Sequence, residues 1–229
     1  MTDLEIIERP SPNHDARPQG LAVDMLVLHY TGMKTGAAAL ERLCDPASRV
    51  SAHYCIEEDG SIYRLVPENR RAWHAGVASW QGDDNINARS IGIEIVNPGH
   101  EFGYRPFPSS QMAAVTTLAL DILATHPIPP ARVLGHSDIA PLRKQDPGEL
   151  FDWPRLAAAG IGLWPGDIGA AVLESAVANA LRRIGYGYTE DDLPKVVRAF
   201  QRRYRPSNVN GIADAQTRRR MADLLAVID

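Results

Sequence analysis

Three side chains of this sequence have the chemistry needed to bind a transition metal. His29 lies next to the end of the apolar run AVDMLVLHY, which is followed by Thr-Gly, and His136 ends VLGH and is followed by Ser-Asp. Each histidine therefore lies where a predicted strand enters a loop, the place where functional side chains concentrate on a rigid scaffold. Asp146 follows in the same loop as His136. Two imidazoles and a carboxylate that converge would form a catalytic zinc site with an open fourth position.

Such a zinc ion lowers the pKa of a bound water molecule to about 7 and polarises a carbonyl group. Amide hydrolysis also needs a general base and a positive charge near the developing oxyanion. Glu94 in SIGIEIVN and Lys144 in RKQDPG are the candidates for these two roles. Because residues two apart in an extended loop point the same way, we expect Lys144 to lie beside Asp146.

Each of these side chains also has an ordinary explanation. The chain has 7 histidines, and it contains neither H-E-x-x-H nor paired C-x-x-C motifs. Taken singly, Glu94 fits a solvated strand face, Lys144 a surface charge and Asp146 an Asp-Pro turn. A structural zinc protein would instead need a closed four-ligand site. Spacing alone therefore leaves the catalytic zinc site as one hypothesis among several.

The elements that must position these residues have clear patterns. Residues 22–30 form an apolar run of strand length, and residues 53–66 are two alternating runs around Asp59-Gly60, which predicts a hairpin. Residues 90–97 alternate, so that three isoleucines share one face and Glu94 lies on the other. We expect a mixed central sheet flanked by helices, an α/β fold.

Helical periodicity appears in two regions. Apolar residues recur at helical spacing from Ser109 to His126, and Pro127 ends the pattern. Residues 161–169 are rich in glycine without periodicity, which predicts a linker between a main domain, residues 1–160, and a second piece. Residues 170–229 have three helical patterns, the last opened by Asp214 as N-cap. We expect a small C-terminal three-helix domain.

Composition excludes several classes of protein. The 24 basic and 28 acidic side chains give a net charge of −4, which provides no basic field for nucleic acid. Residues 1–169 carry 14 basic and 21 acidic groups, a charge of −7, whereas residues 170–229 carry 10 and 7, a charge of +3. The apolar runs are too short to span a bilayer, which needs about 20 residues. We expect no membrane span and a monomer.

Several long motifs occur in a fixed order: LVLHYTG, VSAHYCIEEDGSIYRLVPE, RAWHAG, SIGIEIVN and GHSDIAPLRKQDPG. Over residues 20–155 the chain thereby resembles the N-acetylmuramoyl-L-alanine amidases of the AmpD and AmiD type. The resemblance implies a mixed sheet flanked by helices and a Zn²⁺ held by His29, His136 and Asp146. It also implies hydrolysis of the amide bond between N-acetylmuramic acid and L-alanine in peptidoglycan fragments or peptidoglycan.

The resemblance also implies roles for individual residues. Glu94 would activate the zinc-bound water, and Lys144 would stabilise the oxyanion. Trp73, His74 and Asn87 match positions around the substrate cleft, although structural roles for these three are equally compatible with the sequence. His53 matches a position beside the active-site sheet and stays outside the catalytic set. The sequence has Leu142 where many relatives have glycine, which concerns the local width of the cleft.

Residues 170–229 resemble a three-helix peptidoglycan-binding domain, with a purely packing role as the alternative. The acidic N-terminus has no pattern of a secretory signal, so we expect a cytoplasmic protein with reduced thiols at Cys44 and Cys55. That compartment favours recycling of 1,6-anhydro-muropeptides. The alternatives are a periplasmic amidase that cuts intact peptidoglycan and a non-catalytic peptidoglycan-binding protein.

Overall fold

The computed structural model describes residues 4–166 and 169–228, which contain two sheets. The strands are β1 (Ile6–Glu8), β2 (His14–Ala16), β3 (Met25–Tyr30), β4 (Tyr54–Ile56), β5 (Ile62–Arg64), β6 (Arg70–Ala72), β7 (Ser90–Ile95) and β8 (Val133–Gly135). Six strands form a mixed sheet in the order β1-β5-β4-β7-β3-β8, and β2 pairs with β6. In the larger sheet β4, β7, β3 and β8 are parallel neighbours. The predicted mixed sheet is confirmed.

Two of the predicted strand patterns lie at the centre of this sheet. β3 begins at Met25, three residues later than predicted, because its first ladder partner is Ser90 at the start of β7. The predicted hairpin is confirmed: β4 and β5 are antiparallel, with Ile56 opposite Ile62. Gly60 in its turn has a φ of +97°, which a residue without Cβ adopts at little cost.

Helices cover both faces of the sheet. They are α1 (Gly36–Cys44), α2 (Ile86–Arg89), α3 (Gly99–Phe102), α4 (Ser109–Thr125), α5 (His136–Ile139), α6 (Trp153–Ala158), α7 (Val177–Ile184), α8 (Leu193–Tyr204) and α9 (Ala215–Ile228). The predicted helix over 109–126 is α4, which packs its apolar positions against one face. Its serines do not cap it, since the Ser110 hydroxyl donates to the Glu58 carbonyl at 2.9 Å.

The two faces of β3 belong to different hydrophobic clusters, because side chains alternate along a strand. Leu26 and Leu28 lie in the cluster that contains α4. Met25 and Val27 lie in a second cluster, which also contains buried side chains of α7, α8 and α9. The C-terminal helices therefore share a core with the sheet.

The three predicted C-terminal helices are present within residues 169–228. The first begins at Val177, later than the periodicity predicts, because the backbone N–H of Val172 donates to Arg218 of α9 instead of continuing a helix. Asp214 caps α9 as predicted, accepting from the backbone N–H of Thr217 at 3.0 Å. The sequence pattern thus predicts the three helices, but it misplaces the start of the first, where a hydrogen bond to a distant residue replaces a hydrogen bond within the helix.

The segment before these helices packs against the core. Ile161 is fully buried, and Trp164 packs against both hydrophobic clusters. Residues 167 and 168 of the predicted linker lie outside the described residues. None of the helices in the described part of the chain is both long and apolar enough to cross a bilayer.

Candidate active site

The carboxyl ends of three parallel strands bring the predicted site residues together. His29 of β3 lies directly opposite Glu94 of β7 in the ladder. Leu28 pairs with Gly135, the last residue of β8, so His136 follows immediately beside His29. Adjacent parallel strands end at the same edge of a sheet, which is where open α/β sheets bind ligands. Strand register alone therefore places three of the predicted residues at one point.

His29, His136 and Asp146 form a buried triangle of potential ligand atoms. Nδ1 of His29 lies 2.9 Å from Nδ1 of His136 and 3.1 Å from Oδ2 of Asp146. Nδ1 of His136 lies 3.0 Å from the same carboxylate oxygen. The three residues are 1%, 3% and 5% exposed, respectively. This group can hold a metal ion.

The hydrogen bonds of His136 determine which of its ring nitrogens carries a proton. Nε2 lies 3.0 Å from the carbonyl oxygen of Ala75, which can only accept, so Nε2 donates. Arg143 donates to the same carbonyl and, at 2.8 Å, to that of Val77, which fixes this backbone. In a neutral ring with its proton on Nε2, Nδ1 of His136 presents its lone pair toward His29 and Asp146.

A chain of hydrogen bonds fixes His29 in the same way. The Ser90 hydroxyl donates to the Ile86 carbonyl at 2.7 Å, so its oxygen accepts from Nε2 of His74 at 3.1 Å. Burial lowers the pKa of His74 well below its usual range, which keeps the ring neutral and leaves Nδ1 as an acceptor. Nε2 of His29 donates to that atom at 3.0 Å. Nδ1 of His29 therefore also carries a lone pair.

Two imidazole nitrogens and a carboxylate oxygen thus converge on one point, where a metal ion would bind their lone pairs. Burial, with a contribution from His136, lowers the pKa of His29 to about 4, so His29 is neutral at neutral pH and available as a ligand. Ligand atoms bound to one tetrahedral zinc ion at 2.0–2.1 Å are about 3.3 Å apart, close to the observed separations. The donor set therefore fits a cation of this kind.

Charge in the site is distributed unequally between its two carboxyl groups. Burial alone would raise the pKa of Asp146, but His136 and His29 lower it below the ordinary range. Burial raises the pKa of Glu94 well above its usual value, Asp146 raises it further, and Lys144 opposes both. Oε2 of Glu94 is buried without a hydrogen-bond partner among the described residues. Asp146 is thus the anionic member of this group, and Glu94 is a carboxyl group whose affinity for a proton is raised.

A cleft of about 760 Å³ opens over this group of residues. Glu94, Lys144, Trp73 and His74 line it together with His136 and Asp146. Among the residues on its walls are Tyr30, Met33, Lys34, Arg42, Glu101 and Phe102. A cleft of this volume accommodates a ligand larger than a single amino acid.

Two other predicted positions have structural contacts. Asn87 is not among the cleft-lining residues; its Oδ1 accepts from the backbone N–H groups of His74, at 3.1 Å, and Ala75, at 2.8 Å. His53 is fully buried, and its Nδ1 accepts from the Gly92 N–H at 2.9 Å. Asn87 therefore orients the segment that contacts His29 and His136, and His53 has a packed, hydrogen-bonded role.

The structure also shows where Leu142 and the two cysteines lie. Leu142 is not in the cleft but lines a neighbouring groove with Arg143 and Lys144. Cys44 and Cys55 are free, and Cys44 is partly exposed.

Sequence reasoning missed several residues that support the site. Ser90 fixes His74, and Gly92 makes room for it, since a Cβ at Gly92 would meet the ring of His74 at 2.5 Å. Asp138 accepts from the N–H of Gly135 at 2.8 Å and so holds the turn into His136. The only available signal was an acidic residue three positions after a strand end, a common helix-capping pattern.

The comparisons with known proteins agree with this geometry. Residues 19–149 match the model of the N-acetylmuramoyl-L-alanine amidase family. The chain is 38% identical over 243 residues to N-acetylmuramoyl-L-alanine amidase AmiD of Escherichia coli strain K12, and the alignment covers 93% of this chain and 87% of AmiD. It is also 38% identical over 166 residues to 1,6-anhydro-N-acetylmuramyl-L-alanine amidase AmpD of Salmonella typhimurium strain SL1344, and that alignment covers 65% of this chain and 87% of AmpD.

A solved structure is similar over the same extent. The complex of E. coli AmiD with anhydro-N-acetylmuramic acid-L-Ala-D-gamma-Glu-L-Lys has a TM-score of 0.82 and 36% identity, covering 92% of each chain. The fold and site thus define an α/β amidase. The chain belongs to the N-acetylmuramoyl-L-alanine amidase family.

Proposed function

We propose that this chain hydrolyses the amide bond between 1,6-anhydro-N-acetylmuramic acid and L-alanine in muropeptides, using zinc. The observation that carries the proposal is the convergence of two imidazole nitrogens and a carboxylate oxygen beside Glu94 at an open cleft. The likeness to AmiD, whose solved complex contains an anhydro-muramyl peptide, supports the substrate. A non-catalytic binding protein is disfavoured, because such a protein has no need of a ligand triangle or of an unpartnered Glu94.

In this proposal His29, His136 and Asp146 hold the metal, and two imidazoles with one carboxylate favour zinc in a catalytic role. Bound zinc supplies a more acidic water molecule and a polarised amide carbonyl. Glu94 takes a proton from the attacking water and passes it to the nitrogen of L-alanine as the amide bond breaks. Lys144 places its positive charge toward the oxyanion that forms on the carbonyl oxygen.

The remaining cleft residues have supporting roles in the proposal. Trp73, on the cleft wall, provides an apolar surface for the substrate. His74 acts mainly through His29, because both of its ring nitrogens are used in the hydrogen-bond chain to Ser90. Asn87 acts through the backbone of residues 74 and 75.

His74→Phe is expected to weaken zinc binding by about 10- to 100-fold, the usual effect of removing a hydrogen-bond partner of a metal ligand. Phenylalanine keeps the ring against Gly92 but cannot accept from Nε2 of His29, so His29 loses its fixed tautomer. Competition with a chromophoric chelator measures the affinity without reference to activity. His14→Gln, outside the cleft, is the control and should bind as the parent does. Parental affinity in His74→Phe would refute this role.

Metal removal tests the proposed reaction directly. The zinc-loaded chain is expected to release peptide with a free L-alanine amino terminus from anhydro-N-acetylmuramic acid-L-Ala-D-γ-Glu-L-Lys, as detected by mass spectrometry. Dialysis against a chelator should abolish release, and stoichiometric zinc should restore it. Full activity of the metal-free protein would contradict the proposal. A parallel assay on intact sacculi distinguishes recycling from cutting of the wall.

We also propose the domain division predicted above, residues 1–160, 161–169 and 170–229, with a packing role for the helical part. The core that α7, α8 and α9 share with β3 supports that role over independent wall binding. The compartment and the oligomeric state stay predictions: cytoplasmic, with the periplasm as alternative, and monomeric. Fractionation of native cells and light scattering of the purified protein test them.

A further inference from the structure

A second groove, of about 240 Å³, lies between the loop that carries Asp146 and helix α8. It is lined by Pro141, Leu142, Arg143, Lys144, Gln145, Lys195, Arg198 and Arg202. Five of these eight side chains are cationic, and none of the described residues that line the groove is acidic. The strong concentration of positive charge in a chain of net charge −4 calls for a physical reason.

Internal partners satisfy this positive charge only in part. Arg202 donates to Gln145 at 3.3 Å and lies 3.9 Å from Glu149, and Lys195 lies 3.3 Å from Asp192. Arg198 has no hydrogen bond or ion pair with a described residue. Burial lowers the pKa of Arg202, Glu149 and Tyr30 oppose this effect, and the charge of Arg198 adds to it. The groove therefore holds cations that repel one another and would be stabilised by an anion.

The groove and the catalytic cleft share one wall. Residues 143–145 line both, and Asp146 follows them directly in the cleft. A ligand that occupies the cleft and extends across this loop reaches the groove. The opposite wall consists of α8, so the C-terminal helices complete the site.

We propose that this groove is a subsite for the carboxylates of the stem peptide, and that Arg198 and Lys195 are its specificity-determining residues. The inference rests on the proposed function, since it requires a substrate whose peptide extends from the scissile amide. The peptide of a muropeptide carries free carboxylates at its γ-linked glutamate and at its carboxyl end. Arginine recognises a carboxylate through two parallel N–H donors, whereas neutral sugar hydroxyls have no need of the three cations that α8 places on this wall.

The test compares anhydro-N-acetylmuramic acid-L-Ala-D-γ-Glu-L-Lys with the same compound whose carboxylates are amidated. For the parent, amidation is expected to raise KM about fivefold, the upper range for a partly exposed ion pair, with kcat unchanged. Arg198→Gln and Lys195→Gln should each raise KM for the free acid by two- to fivefold. Neither should change KM for the amidated compound, because the interacting charge is already absent.

The matched control is Arg155→Gln in α6, which removes the same charge from an exposed position outside the groove. Melting temperatures verify that each variant folds. Parental KM for the free acid in the Arg198→Gln, Lys195→Gln double variant would overturn the subsite. The subsite would also be refuted if the variants raised KM equally for the free acid and the amidated compound, because that result would indicate altered packing. A parent that cleaves neither compound would instead refute the proposed function.

Discussion

Glu94→Gln is expected to lower kcat on the anhydro-muropeptide by about 10²- to 10⁴-fold, the usual contribution of a general base. The substitution preserves shape and polarity in the ladder position opposite His29 but cannot accept and return a proton. Burial and Asp146 raise the pKa of Glu94, which brings its basicity closer to what proton transfer near neutral pH requires. Steady-state kinetics at matched zinc content measure the loss.

The matched control for Glu94 is Glu101→Gln, an exposed glutamate on the wall of the same cleft. It removes an equal charge from the cleft without touching the ligand triangle, so its kcat should stay within a few fold of the parent value. Zinc-loaded Glu94→Gln that turns over at the parental rate would show that another group transfers the proton.

Arg203→Met is expected to lower the free energy of unfolding by about 3–5 kcal/mol, the cost of leaving a buried charge without its partner. The Arg203 guanidinium donates to Asp138 at 2.8 Å, and both side chains are at most 2% exposed. It also lies 4.1 Å from the ring centroid of Trp153, a stacking contact that methionine replaces only in part. Urea denaturation of the metal-free protein measures the change.

Asp138 makes this ion pair relevant to the active site. Its carboxylate accepts from Tyr186 at 2.6 Å and from the N–H of Gly135, the residue before His136. Through Asp138, Arg203 of α8 and Tyr186 thus hold the turn that presents His136, a proposed metal ligand. We expect Arg203→Met to weaken zinc binding as well as stability.

Two further variants separate this mechanism from a general packing defect. Arg198→Met, on the same helix but without a buried partner, should change stability by less than about 0.5 kcal/mol. Adding Asp138→Asn to Arg203→Met should restore part of the lost stability, because the unpaired charge is removed. Equal losses in Arg198→Met and Arg203→Met would contradict the role of the ion pair.

Strand patterns and ordered motifs were sufficient to predict the main features of the site. His29 and Glu94 end up side by side because both belong to short apolar strands that must be buried, and the parallel pairing of two such strands aligns their ends. The hairpin and α4 follow from turn residues and helical periodicity within a few positions. These are local properties of the chain, so they can be read without knowledge of the tertiary contacts.

The hydrogen-bond roles of the residues around the site could not be predicted in this way. His74 reaches His29 across 45 positions of sequence, and nothing in RAWHAG distinguishes a residue that contacts substrate from one that fixes a tautomer. Asn87 has the same ambiguity, which its hydrogen bonds to residues 74 and 75 resolve. A side chain's partners depend on packing between distant segments, and periodicity carries no information about that packing.

The sequence by itself was enough to predict the central sheet and a candidate metal site at His29, His136 and Asp146, because residue types, their order and strand burial are encoded locally. Only the tertiary structure decided which nitrogens of the two imidazoles face one carboxylate oxygen and which contact His74 and Ala75. It alone also decided that the C-terminal helices share the core of the sheet and hold Asp138. The physical reason is that proton positions and buried ion pairs arise from contacts between segments that fold together only in three dimensions.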